Sequence, residues 1–212
     1  AGLSGNVPIE IGYFINLNYL NLSNNNLNGS IPTELGNLNR LKYLNLAFNQ
    51  LSGNIPNSIG NLVSLEEIRL FQNELSGSIP QELGNLNALT HVNFRNNNLS
   101  GSIPASIGNL NSLEILYLHN NNLNGNIPSE IFGLTNLKRL FLHNNQLSGT
   151  LEENISDLIS LDRFRIEYNN MSGVISENIC NLELQWADSI SFNISNNMFC
   201  EPYPFCVQGI QG

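Results

Sequence analysis

The chain has 212 residues, of which 41% are hydrophobic, and a formal net charge of −9 at pH 7. This length suits one large domain, and the negative charge argues against a nucleic-acid or membrane-surface partner. No apolar run reaches the roughly 18 residues that a membrane-spanning helix needs, so membrane insertion is not expected.

The chain opens as AGLSGNVPIEIGYF, which matches only the second half of a 24-residue repeat. We therefore expect that residues before Ala1 were removed. A partial first coil exposes an apolar edge, which predicts a monomer or a weak dimer formed through this end.

The repeat is clearest at Leu41–Ser64, LKYLNLAFNQLSGNIPNSIGNLVS, and its copies start every 24 residues. A period of this length is typical of solenoids. We predict one domain over 1–212, made of a partial coil at 1–16, seven coils at 17–182, and a last coil with a cap at 183–212. The full copies start at Leu17, Leu41, Leu65, Leu89, Leu113, Leu137 and Leu161.

Each copy begins with a short predicted strand. Leu44 and Leu46 are two residues apart and face the core, whereas Tyr43, Asn45 and Ala47 face outward. One such strand per coil predicts a parallel sheet along the solenoid.

The remaining residues of each repeat predict the turns that close the coil. Asn49 turns the chain inward, and its buried amide is expected to bond the backbone of the neighbouring coil. Gly53 allows a tight bend and Pro56 fixes φ at the next corner. A second, shorter strand is predicted at LSGNIP, followed by a short 3₁₀ turn.

The last coil carries about four extra residues in LELQWADS, which contains Trp186. We expect Trp186 to cover the apolar end of the solenoid, with a partner contact as the alternative. The three cysteines lie close by, and a disulfide there suits an extracellular compartment. A Cys200–Cys206 pair is favoured, with Cys180 a small buried residue, and a Cys180–Cys206 pair stays open.

The pattern LxxLxLxxNxLxGxIPxxIGNLxx resembles the plant-type class of leucine-rich repeats. Similar repeats occur in receptor-kinase ectodomains, polygalacturonase-inhibiting proteins and secreted bacterial proteins. The resemblance implies an α/β solenoid, a right-handed superhelix with a parallel concave β-sheet and short 3₁₀ or irregular convex turns, mostly β and coil. It also implies a secreted or cell-surface protein that recognises proteins, peptides or glycans without catalysis and without a cofactor.

The outward strand positions form three predicted columns, and these are free to vary. They contain all three histidines and five of the eight lysines and arginines of the chain. The first column is Tyr19, Tyr43, Glu67, His91, Ile115, Arg139 and Arg163. The second column is Asn21, Asn45, Arg69, Asn93, Tyr117, Phe141, Arg165 and Asn193. The third column is Ser23, Ala47, Phe71, Arg95, His119, His143, Glu167 and Ser195.

Phe71, Tyr117 and Phe141 are expected to be exposed aromatics among these cations. Aromatic side chains together with arginine are typical of binding hot spots, and aromatic rings also stack on sugars. The predicted ligand-binding residues are Phe71, Arg95, Tyr117, His119, Phe141, His143, Arg165 and Glu167. The alternative is a solvated sheet, since strands favour Phe and Tyr in any case.

Functions other than ligand recognition remain as alternatives. His119, His143 and Glu167 occupy one slot on successive coils and could hold a transition metal or act in hydrolysis, but a flat open face favours neither. The chain could instead be a structural or adhesion segment of a larger secreted protein. The repeated Ser and Asn residues also leave an ice-binding protein as a less favoured alternative.

Overall fold

The computed structural model describes residues 2–208, which form one stack of coils. The outermost residues of the predicted first coil and cap, at 1 and 209–212, lie outside the described residues. Each of the seven full coils adds one strand to each of two parallel sheets and one 3₁₀ helix. The strands are β1 (Ser4–Asn6), β2 (Tyr19–Asn21), β3 (Asn26–Gly29), β4 (Tyr43–Asn45), β5 (Gln50–Asn54), β6 (Glu67–Arg69), β7 (Glu74–Gly77), β8 (His91–Asn93), β9 (Asn98–Ser102), β10 (Ile115–Tyr117), β11 (Asn122–Gly125), β12 (Arg139–Phe141), β13 (Gln146–Gly149), β14 (Arg163–Arg165), β15 (Asn170–Val174), β16 (Phe192–Asn193) and β17 (Met198–Cys200). The 3₁₀ helices are Ile9–Tyr13, Thr33–Asn37, Asn57–Asn61, Gln81–Asn85, Ala105–Asn109, Ser129–Gly133, Glu153–Asp157 and Glu177–Asn181.

The even-numbered strands β2 to β16 form an eight-stranded sheet, which we call the concave sheet. Residues 24 apart pair across it, as Leu44 does with Ile68 and Tyr117 with Phe141. The predicted solenoid fold is confirmed, and every helix within residues 2–208 is of the 3₁₀ type.

The core is thin and continuous, as the fixed apolar slots predict. Leu44, Leu46 and Leu51 are fully buried, and Ile55 and Ile59 are at most 2% exposed. Each such side chain contributes roughly 1.5–3 kcal/mol relative to an exposed one. Because the same slots recur in each coil, the stabilising contacts run from one coil to the next along the whole stack.

The corner asparagines form the predicted ladder. Asn121 shows the pattern: its Nδ2 donates to the carbonyls of Phe94 and Leu118 at 3.1 and 3.0 Å, and its Oδ1 accepts from the backbone N–H of Leu99 at 3.0 Å. One side chain therefore satisfies buried backbone groups of two coils, which explains why an amide is needed there.

The odd-numbered strands β1 to β17 form a nine-stranded sheet, which we call the flank sheet. Its strands span three to five residues, whereas those of the concave sheet span two or three, so the expectation of a shorter second strand was wrong. Leu51 to Gly53 bend as predicted, with Gly53 at φ +73°. Pro56 precedes its 3₁₀ helix with φ −70°.

The cap contains a disulfide between Cys180 and Cys206, with a Cα–Cα distance of 5.6 Å. The favoured Cys200–Cys206 pairing was therefore wrong. Strand β17 turns Phe199 towards the core and leaves Cys200 exposed and unpaired. Cys180 lies in the last turn of the 3₁₀ helix Glu177–Asn181, one coil earlier, where Cys206 of the cap reaches it.

The extra residues of the last coil have the predicted size. Asn197 Oδ1 accepts from Met171 N across 26 residues, where the equivalent bond spans 22 residues elsewhere. Trp186 is half-buried and packs edge-to-face on Phe192 at 4.7 Å between ring centroids. It therefore covers the end of the core, as expected.

Candidate functional site

The three predicted columns are confirmed by the strand register. Tyr117 pairs with Phe141 in the second column, and Ile115 pairs with Arg139 in the first. The third column continues beyond the strands, where backbone bonds between coils, such as Asn120 N to His143 O at 3.0 Å, keep the register. The side chains that vary between coils are thereby brought into contact on one surface.

Four rings form the centre of this surface, and we call Tyr117, His119, Phe141 and His143 the ring cluster. Tyr117 and Phe141 stack with centroids 4.7 Å apart and an interplanar angle of 18°. His119 and His143 stack at 4.2 Å and 14°. The two stacks meet edge to face at 5.8–5.9 Å. Since the ring faces cover one another, the cluster presents mainly edges to a ligand.

Arginines lie on both sides of the ring cluster. The Arg95 guanidinium lies over the Phe71 ring at 4.4 Å, and that of Arg165 lies over Phe141 at 5.8 Å. Arg165 also forms an ion pair with Glu167. Phe71 is only 9% exposed, so the expectation of an exposed aromatic at this position was wrong. Arg95 and Phe48 cover it, and the arginine is the accessible group.

The third column is more buried than a solvated sheet surface. His119, His143 and Glu167 are 8%, 7% and 1% exposed. Within the described part of the chain, His119 Nδ1, His143 Nδ1 and Glu167 Oε2 are buried without a hydrogen-bond partner. A buried Nδ1 with no acceptor carries no proton in the neutral ring, so the proton belongs on Nε2.

Burial has a clear effect on both imidazoles. Desolvation, followed by the positive charges of His143, Arg95 and Arg165, lowers the pKa of His119 to about 3. Desolvation, followed by the charge of Arg165, lowers the pKa of His143 to about 4. Both rings are therefore neutral at pH 7, and each offers one N–H donor.

The ladder of His119, His143 and Glu167 is present, but its geometry does not suit a metal ion. The lone pair of an imidazole lies in the ring plane, and the two rings are nearly parallel. Their lone pairs therefore do not converge, and one carboxylate oxygen of Glu167, Oε1, is paired with Arg165. Over residues 2–208 no group of three or more His, Cys, Asp or Glu side chains has a metal-binding arrangement.

The columns differ from the rest of the chain in charge. They hold five arginines and two glutamates, a net charge of +3 on a chain of −9. Glu67 pairs with Arg69 and Glu167 with Arg165, so Arg95 has no carboxylate partner among the described residues. A ligand therefore meets a locally positive surface on an acidic protein.

One feature beside the ring cluster was not predicted. The second column has a small residue, Asn93, between the long side chains of Arg69 and Tyr117. The gap is a cavity of about 140 Å³. The column pattern contains this signal, since Asn93 is the one short residue between two long ones.

The comparisons with known proteins agree with the repeat. A Leucine Rich Repeat family model matches residues 16–38, 40–62, 64–86, 88–110, 112–134 and 136–158. No curated protein sequence matches the chain. No helix of residues 2–208 has the length and apolarity required to cross a membrane.

Several solved structures are similar. The ectodomain of the receptor kinase GASSHO1/SCHENGEN3 from Arabidopsis thaliana, in complex with Casparian strip integrity factor 2, is 37% identical, with a TM-score of 0.91 over 97% of this chain and 24% of that one. The ectodomain of the Arabidopsis receptor kinase HAESA, in complex with an IDA peptide hormone, is 35% identical, with a TM-score of 0.88 over 96% and 33%. This chain thus spans about a quarter to a third of these ectodomains. A plant ice-binding protein is 29% identical, with a TM-score of 0.73 over 95% of this chain and 71% of that one.

Proposed function

We propose, since the chain belongs to the leucine-rich repeat family, that it is a non-enzymatic extracellular recognition module whose concave sheet binds a peptide or an extended protein segment. The observation that carries the proposal is the ring cluster with Arg95 and Arg165 on either side of it. Aromatic and arginine side chains that are partly desolvated are the groups that contribute most to binding energy at interfaces.

The row of hydrogen-bond donors along the concave sheet supports a peptide as the ligand. Arg95, His119, His143 and Arg165 follow one another along the stack, from the third column into the second. Neutral imidazole N–H groups and guanidinium groups donate hydrogen bonds, and an extended peptide supplies a regular row of carbonyl acceptors. The net positive charge also favours a neutral or acidic segment.

The stacking of the rings argues against a glycan. Sugars bind aromatic side chains through the ring faces, whereas both faces of Phe141 and one face of Tyr117 are covered by each other and by Arg165. The similar receptor ectodomains were solved with Casparian strip integrity factor 2 and with an IDA peptide hormone, and the latter also favours a peptide. The Cys180–Cys206 disulfide supports an extracellular location.

A displayed library of random heptapeptides tests this proposal. The wild-type chain and an Arg95→Ala/Phe141→Ala variant are panned in parallel, with a convex control, Glu34→Ala/Glu82→Ala. We expect sequences that are enriched by the wild type and the convex control and lost with the concave variant. Equal enrichment by all three proteins would contradict concave binding.

Ice binding is the second candidate, and one observation favours it. The chain matches 71% of the length of the plant ice-binding protein, a larger share than of the receptors. From β3 to β15 the flank sheet presents mostly Asn, Gln and Ser outward, with Glu74 as an exception. If the chain binds ice, it should show thermal hysteresis. A Ser100→Lys substitution in the flank sheet should abolish the hysteresis, whereas Arg95→Ala/Phe141→Ala should leave it unchanged. The absence of hysteresis in the wild type would eliminate it.

A further inference from the structure

Asn93 differs from the other asparagines at the same register position. Asn21, Asn45 and Asn193 each accept, through Oδ1, a hydrogen bond of 3.0 Å from the backbone N–H two residues later. Asn93 Oδ1 is buried and accepts no hydrogen bond from any residue in 2–208. Asn93 Oδ1 is therefore left to accept from a group outside the chain, water or ligand, whereas the other three oxygens are used within the fold.

The same side chain lines the cavity beside the ring cluster. The other walls are Glu67, Arg69, His91, Ile115, Tyr117 and Arg139. The volume of about 140 Å³ is well below the roughly 300–1,000 Å³ of sites that enclose a whole small molecule. It has room for about four or five water molecules, at ~30 Å³ each, or for one side chain of a larger ligand.

The hydrogen bonds around the cavity determine what it accepts. Thr90 Oγ1 donates to Glu66 O at 2.8 Å, so His91 Nδ1, also 2.8 Å from that hydroxyl oxygen, is its donor. In the tautomer with the proton on Nδ1, Nε2 is an acceptor. Asn93 Oδ1 is the buried acceptor of this cavity that no described residue satisfies.

The charge of the cavity walls further restricts which ligand side chains can bind there. Two arginines and one glutamate in the walls leave a net positive charge, which disfavours a lysine or arginine side chain. A carboxylate cannot donate to Asn93 Oδ1. Small side chains that donate a hydrogen bond without a charge carry a hydroxyl or a carboxamide.

We propose that Asn93 anchors the peptide ligand by accepting a hydrogen bond from one Ser, Thr, Asn or Gln side chain, which enters the cavity beside the ring cluster. The proposal rests on peptide binding by the concave sheet and adds a specificity position to it. A ligand side chain that fills the cavity also donates to this oxygen.

The test uses the heptapeptide library with three proteins: the wild type, Asn93→Leu and the matched control Asn21→Leu. We expect the wild type and the control to select one fixed position occupied by Ser, Thr, Asn or Gln. With Asn93→Leu that preference disappears, and the affinity for the wild-type consensus peptide falls about 10-fold or more, the effect of one buried hydrogen bond. Because Asn93 makes no native hydrogen bond, the Tm of Asn93→Leu stays equal or rises.

Each contrary result contradicts a specific part of the two proposals. If Asn93→Leu keeps both the consensus and the affinity while Arg95→Ala/Phe141→Ala loses them, the cavity is not a specificity site, although the concave sheet still binds. If the Tm of Asn93→Leu falls by more than about 4 °C, Asn93 is a structural residue. If the wild type enriches no peptide relative to Arg95→Ala/Phe141→Ala, both proposals fail.

Discussion

At the scale of single residues, His119 and His143 show how a repeat position acquires new chemistry. The same slot holds Ser23 and Ala47 in earlier coils, where nothing titrates. Placing two imidazoles in consecutive coils stacks them at 4.2 Å and buries them beneath the neighbouring rings and arginines. The neutral state of this pair is therefore a property of the stack and not of either residue alone.

This burial predicts a pH dependence of stability. The pKa values of about 3 and about 4 in the folded state lie below the ordinary value of 6.5, so the unfolded chain takes up protons first as the pH falls. Stability is therefore lost between about pH 6.5 and pH 4, at up to roughly 1.4 kcal/mol per pH unit for each histidine.

The measurement is urea unfolding between about pH 7 and pH 4.5, compared with His119→Gln/His143→Gln. The variant keeps the ordinary carboxylate titrations, so the difference between the two slopes isolates the histidines. Arg95, Arg165, Glu167 and Tyr117 face the pair and are present in both proteins. Equal slopes would show that the histidines do not titrate in this way.

At the scale of elements, the coils stack so closely that some slots require glycine. A Cβ at Gly84 would lie 2.3 Å from the Ser106 carbonyl oxygen in the next coil, and one at Gly60 would lie 2.5 Å from that of Glu82. The repeat has glycine at this slot from Gly12 to Gly108 and other residues at 132, 156 and 180, and the pattern alone does not show why the glycines are needed. The reason is the distance between consecutive 3₁₀ helices.

Gly84→Ala is predicted to destabilise the protein by about 1–3 kcal/mol, because the backbone of the next coil must move. Gly133 is the matched control, since a Cβ there meets no atom within 4 Å. Gly133→Ala should be neutral or stabilise by up to about 1 kcal/mol. Denaturant unfolding of the two variants measures both values, and a Gly84→Ala protein as stable as wild type would refute close stacking.

The cap makes an element-scale prediction of its own. The Cys180–Cys206 bond closes a loop of 26 residues, for which chain entropy gives about 3–4 kcal/mol. Coils of a solenoid contact only their neighbours, so the loss in Cys206→Ser should be confined to the last coils. Hydrogen exchange should rise over 177–207 in Cys206→Ser and remain unchanged in Cys200→Ser. Equal exchange in both variants would contradict the pairing.

At the scale of the whole molecule, the period of 24 residues made the fold and the three columns predictable. Strand alternation shows which side chains leave the sheet, and the register shows which ones meet. Neither strand alternation nor register shows how far a side chain is buried. Phe71 was expected to be exposed, and it is covered because Arg95 and Phe48 pack over it.

Two other features escaped prediction for physical reasons. Spacing favoured Cys200 as the partner of Cys206, but the alternation of β17 turns Cys200 outward. The αL position of each coil mostly holds Asn or Gln, yet Phe48 and Tyr168 adopt φ of 55° and 56° at it. A non-glycine residue with positive φ is rare, so the residue type of Phe48 or Tyr168 does not predict this conformation. The Asn and Gln residues at the same position of the other coils do.

The central claim is that the concave sheet, through the ring cluster and its arginines, binds a peptide. Isothermal titration of a library-selected peptide into three proteins tests it most directly: the wild type, Arg95→Ala/Phe141→Ala, and the flank variant Ser100→Ala/Asn124→Ala. We predict an affinity about 30-fold or more lower for the concave variant, as for a hot spot worth about 2 kcal/mol, and within about 2-fold of wild type for the flank variant. Full affinity in the concave variant, or a loss in the flank variant alone, would contradict the account.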